Sequence, residues 1–252
     1  MLKSKISEWI LFLMGWKAEV SKELIEKLNS EDKIILIFPH SSYFDFFIML
    51  LYSFIYQEYL PHEVCTLMQP GVFKYFGSIL SRLGCIPAGS IHEKGKTFDK
   101  IKDTLNMKNK FLFLISPKGR RYKGEWRNGY YYLSKDLLIP ILPIGLNYCT
   151  HSIEFGFHFI RVDNYPNRIV DLTPTEVKLM AIDIMKDITP LHPDRSEFKL
   201  QSYDITERGV LSFNRLIGLL WILFFISLYF QRVIYLTLLV GTMLSWRLHR
   251  DY

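Results

Sequence analysis

The chain has only three cysteines in 252 residues, Cys65, Cys85 and Cys149, and they show neither metal-ligand nor redox spacing. A disulfide framework is therefore excluded, and the three read as small apolar packing residues of a reducing compartment. The histidines (40, 62, 92, 151, 158, 192 and 249) form no HExxH or other ligand cluster, so no metal is expected. No uninterrupted apolar run reaches the roughly 20 residues that cross a bilayer. The nearest approach, Leu216 to Trp246, is split by Gln231 and Arg232 into pieces of 15 and 14 residues. At the other end Glu8 interrupts the apolar stretch and no small-residue cleavage site follows, so no secretory signal is expected.

What the chain does have is an alternation of strand and helix signals, long enough to bury a full α/β core. Strands are expected at Lys33 to Phe38, Val64 to Leu67, Phe111 to Ile115 and Ile141 to Leu146, with a further one at Ile153 to Ile160. Helices are expected near Phe44 to Phe54, Val72 to Leu83, Thr97 to Met107 and Gly129 to Leu138. Thr173-Pro174-Thr175-Glu176 is a capping box with proline at the first helical position, opening a helix to about Ile188. The fold class is thus α/β, a central mixed sheet flanked by helices, with an N-terminal amphipathic helix and a C-terminal hydrophobic helical hairpin.

Two loops carry chemistry. In Pro39-His40-Ser41-Ser42-Tyr43-Phe44-Asp45 a histidine leaves a strand and a carboxylate sits in the first turn of the next helix. Five residues of continuous helix would turn the side chains about 140° apart, so they meet only if His40 stands outside the helix and folds back. Two readings are open: a His40–Asp45 pair, or a capping box in which Asp45 merely satisfies a free N–H at the helix start. The second loop, Ser116-Pro117-Lys118-Gly119-Arg120-Arg121, is cationic and follows a strand. Gly119 allows close backbone approach, and the guanidinium groups of Arg120 and Arg121 suit a phosphate. A solvated charged turn is the plain alternative. This loop carries no GK[ST] pattern, so it is not a P-loop.

In order and spacing these segments, with GVFKYFGSILSRLGCIPAG and Ile139-Pro140-Ile141-Leu142-Pro143-Ile144, resemble the glycerolipid acyltransferase family that makes phosphatidic acid from lysophosphatidic acid. The resemblance runs from about Trp16 to Tyr148. The family's His, four residues, Asp motif falls on His40 and Asp45, and its Pro-Glu-Gly-Thr-Arg block on Pro117 to Arg121. Lys118 stands where the family usually has glutamate and Arg120 where it has threonine. The arginine that often ends the second block has no counterpart near Ser90, where only His92 is close by.

The resemblance implies His40 as the base that takes the acceptor's hydroxyl proton and Asp45 as its orienting carboxylate. Lys118, Gly119, Arg120 and Arg121 become the phosphate-binding set. No cofactor is implied; acyl-CoA or acyl-carrier protein is a co-substrate, and the partners are membrane lipids and a lysophospholipid acceptor.

The ends read as membrane-seeking. Residues 1–16 place Ile6, Trp9, Ile10, Leu13 and Trp16 at helical spacing beside Lys3 and Lys5, which suits an interfacial helix or one packed on the core. Residues 17–188 form the acyltransferase domain, 189–206 a linker, and 207–252 a membrane-anchoring hairpin with Gln231-Arg232 at its tip. Arg208, Arg215, Arg247 and Arg250 flank the hairpin base, which expects a membrane protein with its site facing the cytosol. The net charge of +6 fits anionic lipid or a phosphorylated substrate. Two other functions are compatible with the pattern. One is a catalytically silent lipid-binding relative. The other is a membrane-tethered nucleic-acid module built on KGRRYKGEWR, though no nucleic acid is expected.

Overall fold

The structure is a computed structural model that describes residues 2–40, 42–89, 94–119, 125–163 and 171–188. The expected linker and hairpin, and Arg120 and Arg121, lie outside the described residues.

The element order is α1 (Leu2–Leu13), α2 (Lys22–Asn29), β1 (Lys33–Ile37), α3 (Tyr43–Tyr56), β2 (Glu63–Met68), α4 (Pro70–Arg82), β3 (Cys85–Pro87), α5 (Lys94–Asn106), β4 (Phe111–Ile115), α6 (Gly129–Leu137), β5 (Ile141–Asn147), β6 (Ser152–Phe155) and α7 (Pro174–Ile184). The strands form one mixed six-stranded sheet in the order β3-β2-β4-β1-β5-β6. The first five run parallel, and β6 closes the edge antiparallel to β5.

Burial on both faces explains why β1, β4 and β5 are apolar almost throughout. Alternate residues go to opposite sides. Ile34, Leu36, Leu112, Leu114, Leu142 and Ile144 join a core with Ile48, Tyr52 and Ile55 of α3 and Leu11 of α1. Ile35, Ile37, Phe111, Phe113, Ile115 and Ile141 join the other, against Leu105 of α5, Tyr130 of α6 and Val177 and Ala181 of α7. The sheet therefore has α1 and α3 on one face and α5, α6 and α7 on the other.

Local chemistry sets the helix starts. Thr173 caps α7 with Glu176 reaching back, its Oε2 accepting from the Thr173 N–H at 2.8 Å, and Pro174 occupies the first position. Two elements fall outside the expected set. β3 is three residues long, too short to show any periodicity. α2 is a short polar helix whose N-cap, Ser21, accepts from the Leu24 N–H at 3.1 Å. The expected strand to Ile160 ends at Phe155, and Ile160 forms an isolated antiparallel bridge with Ile141.

α1 combines two faces. Ser4, Ser7 and Leu11 are buried, the small serines allowing close packing on α3, while Leu2, Ile6, Trp9 and Phe12 stay exposed. Trp16 does not continue the outer stripe. Gly15, at φ +77°, turns the chain so that the Trp16 ring is buried among Tyr52, Tyr148 and His151. Among the described residues no helix is long and apolar enough to cross a membrane.

Candidate active site

β1 and β4 are neighbours, yet the chain leaves them in opposite directions. After β1 it passes over β4 to reach β2; after β4 it passes over β1 to reach β5. Such a reversal opens a crevice at the carboxyl ends of the two strands, where ligands of open α/β sheets bind. Ile37 pairs with Ile115, so His40 and Lys118 each stand three residues past the same register position. The topology thus brings the two expected loops to one edge.

On the β1 side, Pro39 ends the strand and Ser42 opens α3 in extended backbone, φ −138° and ψ 156°. The capping box is formed. The Asp45 Oδ2 that accepts the Ser42 N–H at 2.8 Å also stands 3.1 Å from His40 Nδ1. Oδ1 accepts a 2.6 Å hydrogen bond from the Tyr148 hydroxyl, which arrives from the end of β5. The helix cap and the His40–Asp45 contact are therefore both made by one carboxylate.

The electrostatics assign the proton. Burial pushes the Asp45 pKa up. The hydrogen bond and charge of His40, with the hydrogen bonds from Tyr148 and Ser42, outweigh it and hold the carboxyl below its usual value. An ionised carboxylate only accepts, so Nδ1 of His40 is the donor in this contact. The His40 side chain keeps 21% of its surface exposed against 3% for Asp45, so the imidazole is reachable while its partner is hidden. The Phe38 ring lies 5.8 Å from the imidazole between centroids, tilted at 57°.

On the β4 side, the Gly119 N–H donates to the Ser116 carbonyl at 3.0 Å, closing a tight turn. Gly119 has φ +62°, and a Cβ there would meet nothing nearer than the Arg127 guanidinium at 3.8 Å. Backbone conformation, rather than lack of space, requires the glycine. The turn is not a solvated one at Lys118, which is only 2% exposed. Arg127 also reaches this loop, its backbone N–H donating to the Pro117 carbonyl at 2.9 Å. Ser116, one residue past β4, has a buried hydroxyl with no hydrogen-bond partner among the described residues.

Other candidates stand apart. Burial pushes the Cys85 thiol up to about 11 and raises Cys65 as well, so neither is a ready nucleophile. The tripeptide Gly95-Lys96-Thr97 has the GK[ST] form and lies at the start of α5. Five residues before Gly95 stands Ser90 instead of glycine, so the full P-loop pattern is not met. Among the described residues no group of three or more His, Cys, Asp or Glu side chains is placed to hold a metal ion.

The chain is thus an α/β protein with a mostly parallel sheet, and the loop at its switch point carries a buried carboxylate beside a partly exposed imidazole. Residues 19–147 match the family model described as Acyltransferase, and the chain belongs to that family, which is the family of 1-acylglycerol-3-phosphate acyltransferases. Comparison with curated protein sequences gives no match. The matched span contains both loops and ends one residue before Tyr148.

Proposed function

We propose that this acyltransferase moves a fatty acyl group from acyl-CoA or acyl-carrier protein to the free hydroxyl of a lysophospholipid, in the first place 1-acylglycerol-3-phosphate, giving phosphatidic acid. The observation that carries the reading is the His40–Asp45 pair at the sheet's switch point, with Nδ1 committed to the carboxylate at 3.1 Å.

A hydroxyl is a weak nucleophile at neutral pH, so its proton must leave as it attacks. Nε2 of His40 takes that proton while the hydroxyl oxygen bonds to the thioester carbon. Asp45 stabilises the imidazolium so formed. Collapse of the tetrahedral intermediate breaks the carbon–sulfur bond, and the leaving thiolate takes the proton back from Nε2. Atoms and charge balance without an acyl-enzyme. The acceptor phosphate would lie against Lys118, Gly119, Arg120 and Arg121, and the Ser116 hydroxyl offers a further donor to a substrate oxygen.

The same reading places the protein at a membrane with its site towards the cytosol. α1 is 12 residues long, about 18 Å, which suits a helix lying in the interface. Its exposed Leu2, Ile6, Trp9 and Phe12 would enter the lipid beside Lys3 and Lys5. The hairpin expected at residues 207–252 would add a second anchor.

The test is to incubate the purified full chain in detergent with acyl-CoA and a panel of lysophospholipids while measuring free thiol. Thiol release that depends on the acceptor, with a diacyl product, is expected. Lipid binding without release would make the chain a silent relative, and salt-sensitive nucleic-acid binding with no thioester consumption would replace the reading altogether.

A further inference from the structure

We infer that Tyr148 is a positioning residue of the acyl-transfer site, acting through Asp45 on the basicity and orientation of His40; this rests on the His40-base reading proposed above. The residues matched to the family model end at Asn147, one before Tyr148. Tyr148 and Asp45 are 103 positions apart, yet the phenol donates to Oδ1 at 2.6 Å, and both side chains are almost wholly buried.

The geometry explains what the bond achieves. A carboxylate buried this deeply must have both oxygens satisfied, or the orphaned one carries a full desolvation penalty. Oδ2 already serves the Ser42 N–H and His40 Nδ1. Tyr148 engages Oδ1 and so pins the carboxylate plane, preventing the group from rotating away from the imidazole. It also shares the negative charge, one of the influences that keep Asp45 ionised despite its burial.

Tyr148 is itself held. The Asn147 side chain accepts from the Cys149 N–H at 3.0 Å and the Thr150 N–H at 3.3 Å, shaping the turn that follows β5. The Trp16 ring meets the phenol edge-on, 5.0 Å between centroids and at 90°. Held by the strand end and by the Trp16 ring, the phenol keeps its hydroxyl on Asp45.

The consequence is electrostatic as well as steric. With the phenol removed, Asp45 concentrates more charge on Oδ2, the imidazolium is favoured, and His40 gives up its proton less readily. The acid limb of kcat/KM, which reports the base in the free enzyme, must then move to higher pH. A tyrosine that served packing alone would lower the amount of folded protein and leave the limb where it was.

The experiment uses the full chain in detergent and three variants. Tyr148→Phe is expected to keep both KM values, to lose roughly tenfold in kcat, and to shift the acid limb upward by about half a pH unit, less than one hydrogen bond to a charged group could supply. Replacing Tyr148 with 3-fluorotyrosine, a more acidic phenol of nearly the same shape, is expected to shift the limb downward. This variant preserves the test if the phenylalanine protein does not fold. His40→Ala separates the two layers of argument. If it keeps wild-type turnover, the base assignment itself is wrong. If it is inactive while both Tyr148 variants keep the wild-type limb, the base stands and the role given to Tyr148 is overturned.

Discussion

Asp45 holds the Ser42 amide and the His40 imidazole on the same oxygen, Oδ2, at 2.8 and 3.1 Å. The turn that starts α3 is thereby also the device that orients the His40 imidazole. Stability and turnover should respond differently at the two ends of this arrangement.

His40→Ala should lose at least about 10²-fold in turnover, the contribution of a positioned base, at a stability cost of about 1 kcal/mol or less. Asp45→Asn should lose comparable turnover and in addition roughly 1–3 kcal/mol of stability, because a buried charge-assisted network is broken. Thiol release and thermal denaturation on the same samples separate the effects. An Asp45→Asn protein that melts early but turns over normally would reduce the pair to a helix cap.

Acid should expose the same linkage. The folded-state pKa of Asp45 lies below its ordinary value, so its contribution is complete above the unfolded value near 4 and is lost as pH falls through the lower folded value. Melting curves from pH 7 to pH 2 should therefore converge, with the gap between wild type and Asp45→Asn wide at neutrality and closing below about pH 4. A constant gap would mean that Asp45 has no depressed titration in the folded protein.

At the cationic loop, Arg121→Ala should raise the acceptor KM or lower kcat/KM by about 2 kcal/mol, the worth of a charge-assisted hydrogen bond, with little change for the thioester. Lys118→Glu reverses a charge at a position that is only 2% exposed. It should weaken acceptor binding and also lower the melting temperature. Unchanged acceptor kinetics in both variants would remove the loop from the acceptor site.

Membrane attachment can be divided between the ends. Trp9→Ser with Phe12→Ser alters exposed positions of α1 and should reduce sedimentation with anionic vesicles without lowering the melting temperature. Truncation near Tyr203 should move much of the protein to the soluble fraction. A truncate that stays wholly membrane-bound would assign the anchor to α1.

The fold was legible where burial imposes a pattern. β1, β4 and β5 are strands sealed on both faces and read as unbroken apolar runs, and Thr173 and Glu176 announce α7 through a local hydrogen-bond pattern. β3 has too few residues for a period to appear, and the order of the strands depends on pairings far apart in sequence. The site divides in the same way. His40 and Asp45 lie within one turn of chain, whereas Tyr148 becomes their neighbour only after β1 and β5 have paired. The choice between a helix cap and a His40–Asp45 contact could not be made from spacing, because a single carboxylate oxygen accommodates both.

The double use of Asp45 also biases how such a chain can decay. A descendant freed from the need to transfer acyl groups can lose His40 and keep the helix start, since the imidazole is partly exposed and caps nothing. It cannot drop the aspartate so freely, because α3 still needs its start. Inactive offshoots should accordingly be recognised by a missing histidine beside a surviving aspartate, and the aspartate alone is a record of folding rather than of activity.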